Sequence, residues 1–266
     1  MPVKARQHFA RMRGGAQAHL MYGEDGHYYV VKFQNNPQHR RVLANELIAA
    51  ALLEYLGLAT APGEIVEVSP ELAAASPALY VETRGRRERC RAGLQFGSRC
   101  PGDPSRLPVY DYLPDSLLRE VKNVDEFWGM VAFDKWVSNA NGRQAIFYRD
   151  RSEGRFVARM IDHGFSFRAQ FWDFEDRPLA GIFPRPWLYE RVTGYNSFEP
   201  WLARIDGIGE EELDRAARRV PMEWWCEEDP EELDRLLESL WARRKRVPEL
   251  LRAAKNGPRD PFPNWR

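Results

Sequence analysis

Apolar and polar positions alternate in short runs over the first third of the chain and take helical spacing later. Residues 18–22 (AHLMY) and 28–33 (YYVVKF) are β-rich runs around the turn GEDGH (23–27), which predicts a hairpin. After the breaker NNPQ (35–38), Arg41–Leu56 predicts a helix that is apolar throughout and stops at Gly57. GEIVEV (63–68) and ALYVE (78–82) predict two more strands.

Residues 84–106 have little periodicity and predict a long loop, the boundary between an amino-terminal unit (1–105) and a carboxyl-terminal unit (106–266). Beyond it, Phe127, Trp128, Met130, Val131, Phe133, Trp136 and Val137 take the spacing of a buried helix within Val124–Val137. SNANG (138–142) ends that helix, AIFY (145–148) and RFVARMI (155–161) predict a hairpin, and Asp162 follows at once. The rest is mainly helical. Asp229-Pro230-Glu231-Glu232 predicts a helix start, with Asp229 as N-cap, and the helix runs to about Arg246. The expected fold class is α+β: a β-rich lobe with one main helix, a helical lobe, and a cleft between them.

Composition narrows the function classes. The chain has 266 residues with 39 Lys+Arg and 39 Asp+Glu, so its formal charge is +0. A general nucleic-acid binder needs a surplus of cations, so nucleic acid is not an expected partner. Apolar content of 44% and aromatic content of 12% exclude disorder. The longest apolar run, Leu47–Leu53, falls well short of the roughly 20 residues that span a bilayer. Residues 1–15 lack a signal-peptide core. No membrane association is expected, and the cytoplasm is the expected compartment. Cys90, Cys100 and Cys226 fit neither a disulfide framework nor zinc-ligand spacing.

Neutrality hides segregation. Residues 84–106 carry seven arginines against two acids, a net of +5, while residues 221–240 carry a net of −7 and 241–256 a net of +5. Acids at a helix start and bases at its end complement the helix dipole. The arginine-rich segment has no such explanation.

Five constellations could carry chemistry. Gly14-Gly15-Ala16-Gln17, after Arg13, could bring backbone N–H groups to a phosphate; a plain turn is the competing reading. Lys32 lies late in an otherwise apolar strand one hairpin later, where an ammonium would reach that phosphate; a solvated strand edge competes. Glu46 sits inside the apolar helix and needs either a partner, for which Lys32 is the candidate, or an exit to solvent. Asp162 is placed to hold a divalent metal, whereas the neighbouring His163 reads as a hydrogen-bonded structural residue. Asn139-Ala140-Asn141-Gly142-Arg143-Gln144 offers amides that could complete a metal shell, with Gln144 as candidate ligand; an Asn-Gly turn competes. Asp134, on the preceding helix, reads as structural.

Their order is that of a protein-kinase-like phosphotransfer site, and the details resemble the HipA-like kinases. Gly14-Gly15-Ala16-Gln17-Ala18-His19 resembles that family's phosphate loop "GAQPK". Tyr29-Val30-Val31-Lys32-Phe33 resembles its ATP-lysine strand, Asn45-Glu46 its "NE" helix opening, and Ile161-Asp162-His163-Gly164 its metal-binding segment. The resemblance spans residues 10–57 and 123–167. It implies the two-lobed protein-kinase-like fold and ATP with Mg²⁺ as cofactors. It further implies Gly14–Gln17 on the phosphates, Lys32 contacting them, Glu46 orienting Lys32 and Asp162 on the metal. The acceptor would be a Ser/Thr or another hydroxyl, on a protein or a small molecule.

One departure bears on activity. The family's catalytic loop N-x-D-R-H-x-x-N aligns with Asn139–Ile146, so Asn141 stands where the catalytic Asp belongs and Ile146 where the metal-binding Asn belongs. Gln144 could replace the latter only in a loop two residues shorter. A positioned base contributes typically about 10²–10⁴-fold. The expectation is therefore an ATP-dependent phosphotransferase with slow transfer, or alternatively a nucleotide-binding pseudokinase or scaffold.

Overall fold

The computed structural model describes residues 1–266. Three strands open the chain: β1 (Val3–Arg11), β2 (His19–Gly23) and β3 (Tyr28–Lys32). Helix α1 (Val42–Leu56) follows, then β4 (Gly63–Val68), α2 (Pro70–Ala75), β5 (Tyr80–Thr83), β6 (Arg86–Arg89) and β7 (Gly93–Arg99). Next come α3 (Asp115–Leu118), α4 (Glu126–Trp136), β8 (Gln144–Arg149) and β9 (Phe156–Ile161). Four helices end the chain: α5 (Trp201–Gly207), α6 (Glu210–Ala217), α7 (Asp229–Arg243) and α8 (Val247–Lys255). Mixed α+β structure was expected and is found.

The amino-terminal strands close into a barrel in the order β1-β2-β3-β7-β4, with β1 and β4 parallel and the other pairs antiparallel. Alternation along β2 and β3 turns Met21, Tyr29 and Val31 inward, where they meet Val66, Val68 and Val81. Helix α1 is buried almost all round and belongs to the larger core, with Leu47, Ile48 and Leu52 packing beside Phe133, Trp136 and Phe147. That burial fixes α1 against both the barrel and the helical half, so any polar side chain on it must find a partner inside.

One expectation changes, and one strand was not foreseen. The segment 84–106 is no linker: it contains β6 and β7, and β7 is a central strand between β3 and β4. Its inward residues Gln95 and Gly97 are not apolar, so the period-2 signal is absent. Gln95 is admitted because its amide accepts from Gln34 N at 2.8 Å and donates to Arg91 O at 3.0 Å. Strand β1 has no apolar alternation, because most of it is exposed; main-chain pairing to β2 and β4 holds it.

The last helices also differ in detail. Asp229 is the first residue of α7 rather than its N-cap, and its carboxylate serves Cys226 N and the buried Arg41 instead. Helix α7 stops at Arg243, and Pro248 stands in the first turn of α8, where its missing N–H costs nothing.

Candidate active site

A cavity of about 540 Å³ opens between the barrel and the β8–β9 hairpin. Its apolar wall is Leu20, Val30, Phe96, Val109, Ile146 and Ile161; its polar end holds Arg13, Gly14, Gly15, Lys32, Glu46, Asn141, Gln144 and Asp162. Eight sequence-expected residues thus share one chamber: Gly14, Gly15, Ala16, Lys32, Glu46, Asn141, Gln144 and Asp162.

Lys32 leaves the last position of β3 and forms an ion pair with Glu46 of α1 and another with Asp162 Oδ1 at 2.8 Å. Neither the solvated-edge reading of Lys32 nor the solvent-exit reading of Glu46 describes them: Lys32 is 8% exposed and Glu46 3%. Burial alone would pull the ammonium pKa down, but the two carboxylates outweigh it and hold Lys32 above its ordinary value. Glu46 uses its second oxygen to accept the main-chain N–H of His163 at 3.0 Å. One helical carboxylate therefore fixes both the lysine and the backbone beside Asp162.

Asp162 sits in left-handed backbone, φ 63°. Its Oδ2 accepts from Asn141 Nδ2 at 3.0 Å and from Gln144 Nε2 at 2.6 Å. Gly164 follows two residues later because the backbone passes against α1: a Cβ there would stand 2.4 Å from Val42 Cγ2.

At the phosphate-loop end, Gly14 has φ 116°, a conformation closed to L side chains, in otherwise open space. The loop is braced by Asn36, whose amide donates to Ala16 O at 2.9 Å. Gln17 does not line the cavity. Its amide pairs like a strand residue with Glu82 of β5, donating to the carbonyl at 2.8 Å and accepting the N–H at 2.6 Å. Gln17 thus ties the β5–β6 hairpin to the loop. Arg13 is also on the wall.

Asp134 and Arg143 lie behind the site. Arg143 forks onto both carboxylate oxygens, Nε to Oδ2 at 2.9 Å and Nη2 to Oδ1 at 2.6 Å, with both side chains fully buried. Arg143 also donates to Ile161 O at 3.0 Å and faces His163 Nδ1 at 3.2 Å. Burial, with Arg143 and Lys32 nearby, pushes the His163 pKa well below its ordinary value. The neutral ring bridges Arg143 and Thr60, so it is a structural residue, as expected.

The only carboxylates on the cavity wall are Glu46 and Asp162. No three His, Cys, Asp or Glu side chains cluster so as to hold a metal. One carboxylate flanked by two amides is a hard-oxygen set too small for a resident ion. It suits Mg²⁺, which binds through one or two carboxylates plus substrate phosphates. The amide oxygens of Asn141 and Gln144 would have to replace their nitrogens at Asp162.

Sequence reasoning missed Asn45, His39 and Arg41, which grip the segment after Asp162. Asn45 Nδ2 faces Gly164 O, Ser166 O and Ala169 O at 2.9, 3.0 and 2.8 Å. His39 bonds Gly164 O at 2.9 Å, and Arg41 donates to Gln170 O at 2.8 Å. Only the Asn45-Glu46 pairing in sequence hinted at this role.

Several solved structures are similar. The crystal structure of the Golgi casein kinase with Mn/ADP bound has a TM-score of 0.52 at 11% identity, covering 96% of this chain and 73% of that one. The Helicobacter pylori proinflammatory kinase CtkA has a TM-score of 0.56 at 13% identity, covering 96% of both chains. At such identities the likeness is one of fold, and the fold is protein-kinase-like. No curated protein matches the sequence. No helix is long and apolar enough to cross a membrane. Residues 8–249 match the HipA-like kinases, most of the chain and all of the cavity, and the chain belongs to that family.

Proposed function

We propose that the cavity binds ATP with Mg²⁺ and that the chain transfers the terminal phosphoryl group slowly to a hydroxyl acceptor. The observation that carries this is the buried triad of Lys32, Glu46 and Asp162, joined at one end of an apolar slot. In this reading residues 1–105 form one lobe and 106–266 the other. Leu20, Val30, Phe96 and Ile146 take the flat face of the base. Gly14, Gly15 and Ala16 approach the phosphates with main chain, and Lys32 contacts them as a charge held in place by Glu46. Asp162, with Asn141 and Gln144, would hold the metal, which would neutralise phosphate charge. Phosphoryl transfer depends mainly on positioning and electrostatics, so these groups suffice for a low rate without a carboxylate base.

A second reading, nucleotide binding without transfer, is favoured by Asn141 itself. Its amide cannot accept the acceptor's proton, and Asp134 is sealed behind Arg143. The test is thermal unfolding with excess Mg-ATP. A ligand bound only by the folded state raises stability by RT ln(1 + [L]/Kd), about 2.7 kcal/mol at a hundred times Kd. The shift is expected in the wild type, absent in Lys32→Ala and reduced in Asp162→Ala; no shift in the wild type refutes nucleotide binding. Labelled phosphate transfer from ATP to lysate proteins then separates the two readings.

A further inference from the structure

The segment after Asp162 runs through backbone that L residues rarely adopt. Phe167, Arg168 and Ala169 are consecutive left-handed residues with φ of 58°, 53° and 61°, and Trp172 has 51°. None is glycine, so the conformation persists only where the surroundings over-determine it. Main-chain bonds to Val137 O and Ser138 O hold Phe167 and Arg168, His39 and Arg41 hold Gly164 O and Gln170 O, and one side chain spans the stretch between. Asn45 is fully buried, and its two N–H donors serve three carbonyls spread over Gly164–Ala169. Its Oδ1 is filled by Trp172 Nε1 at 2.7 Å, and the Trp172 ring lies beneath Arg41 at 4.1 Å. The next residue along α1 is Glu46, which holds Lys32 and His163 N. Two adjacent helical residues thus grip the chain just after Asp162, from His163 to Ala169, and tie it to α1.

We propose that Asn45 is a positioning residue for Asp162: by fixing the carbonyls of Gly164, Ser166 and Ala169 it holds the left-handed turn that aims the Asp162 carboxylate. This rests on the nucleotide reading of the cavity. Its consequence is selective. The apolar slot and the phosphate loop lie outside the clamp, and Lys32 keeps its Glu46 partner when Asn45 is removed, so nucleotide affinity without metal depends little on Asn45. The increment that Mg²⁺ adds passes through Asp162 and depends on it.

The experiment is fluorescence binding of an ATP analogue by the full chain, in Mg²⁺ and in EDTA, with hydrogen exchange across 163–172 alongside. In Asn45→Ala the ratio of the two affinities is expected to fall about tenfold, the affinity in EDTA to stay within about twofold of wild type, and exchange over 163–172 to rise. A merely destabilised fold would lower both affinities together and leave the ratio. Trp172→Phe keeps the ring under Arg41 and removes only the donor to Asn45 Oδ1. It is expected to lower the ratio about threefold, and it decides the matter if Asn45→Ala does not fold. An unchanged ratio in a folded variant overturns the role of Asn45 alone. A wild-type chain that binds no analogue in either buffer overturns the nucleotide reading, and this role with it.

Discussion

Asn141 donates its side-chain amide to Asp162 Oδ2 across 3.0 Å. The resemblance implies a carboxylate at this position, and the chain has a neutral donor there that pairs with Asp162. Replacing the donor by an acceptor inverts the arrangement. Asn141→Asp sets two carboxylates against each other, which raises the pKa of one of them unless a cation intervenes. The variant should be less stable than wild type in EDTA and should bind Mg²⁺ with nucleotide more tightly. With Mg²⁺ it should gain transfer rate by about 10²-fold or more, the ordinary worth of a positioned base. Steady-state transfer of labelled phosphate checks this; equal rates in both proteins would show that Asn141 does not limit the reaction.

Gln17 gives the opposite kind of test, since it belongs to the phosphate-loop motif but faces away from the cavity. Gln17→Ala removes the bonds to Glu82 and leaves that strand edge unpaired. The expected cost is about 1–3 kcal/mol of stability, with nucleotide affinity within about threefold of wild type. A large loss of affinity without loss of stability, read by calorimetry and urea unfolding, would return Gln17 to the phosphates.

The parts of the site visible in sequence are those with strong local signals. Lys32 stands out because a charge interrupts an apolar strand, and Glu46 because a charge interrupts an apolar helix; each had to find the other. Asn45 gave no such signal. An amide is unremarkable in a helix, and its partners lie 119 to 127 residues away. Strand β7 was hidden for a different reason. Seven arginines in 84–106 dominate the segment's composition, yet those within β6 lie on an exposed edge, while Leu94, Phe96 and the buried Gln95 make the strand. Charge at an edge strand opposes unwanted pairing, so the arginines mark where the sheet stops rather than where structure stops.

Asp134 and Arg143 form a fully buried ion pair that braces the loop carrying Asn141. Breaking such a pair leaves one charge without a counter-charge and costs about 3–5 kcal/mol, whereas an apolar pair of similar volume is often neutral. Arg143→Met should therefore lower unfolding stability by that amount, and Asp134→Leu added to it should recover more than half. Asn139 loses its Asp134 acceptor in the double variant, which limits the recovery. A urea-unfolding cycle measures this; additive losses would mean that the two residues act separately.

Acid sensitivity follows from buried histidines, His163 among them, and two of these can be tested by substitution. Burial, with His8 and Arg11 beside it, pushes the His19 pKa down to about 4. Burial, with Lys32 and Arg41 nearby, does the same to His39, again to about 4. In the unfolded chain both return to about 6.5. Between these values the unfolded state binds more protons than the native one, so stability falls as pH falls through the window from 6.5 to about 4. Each histidine contributes a slope of about 1.4 kcal/mol per pH unit there. Most carboxylates titrate below pH 5, so the interval from 6.5 to 5 isolates the imidazoles. His39→Gln retains an amide that can donate to Gly164 O, where His39 Nε2 now stands at 2.9 Å, and removes the titration. Urea midpoints should drop between pH 7 and pH 5 in the wild type and drop by a smaller amount in the His19→Gln, His39→Gln double variant, in which His163 still carries part of the slope. The same drop in both proteins would assign the acid sensitivity to other groups.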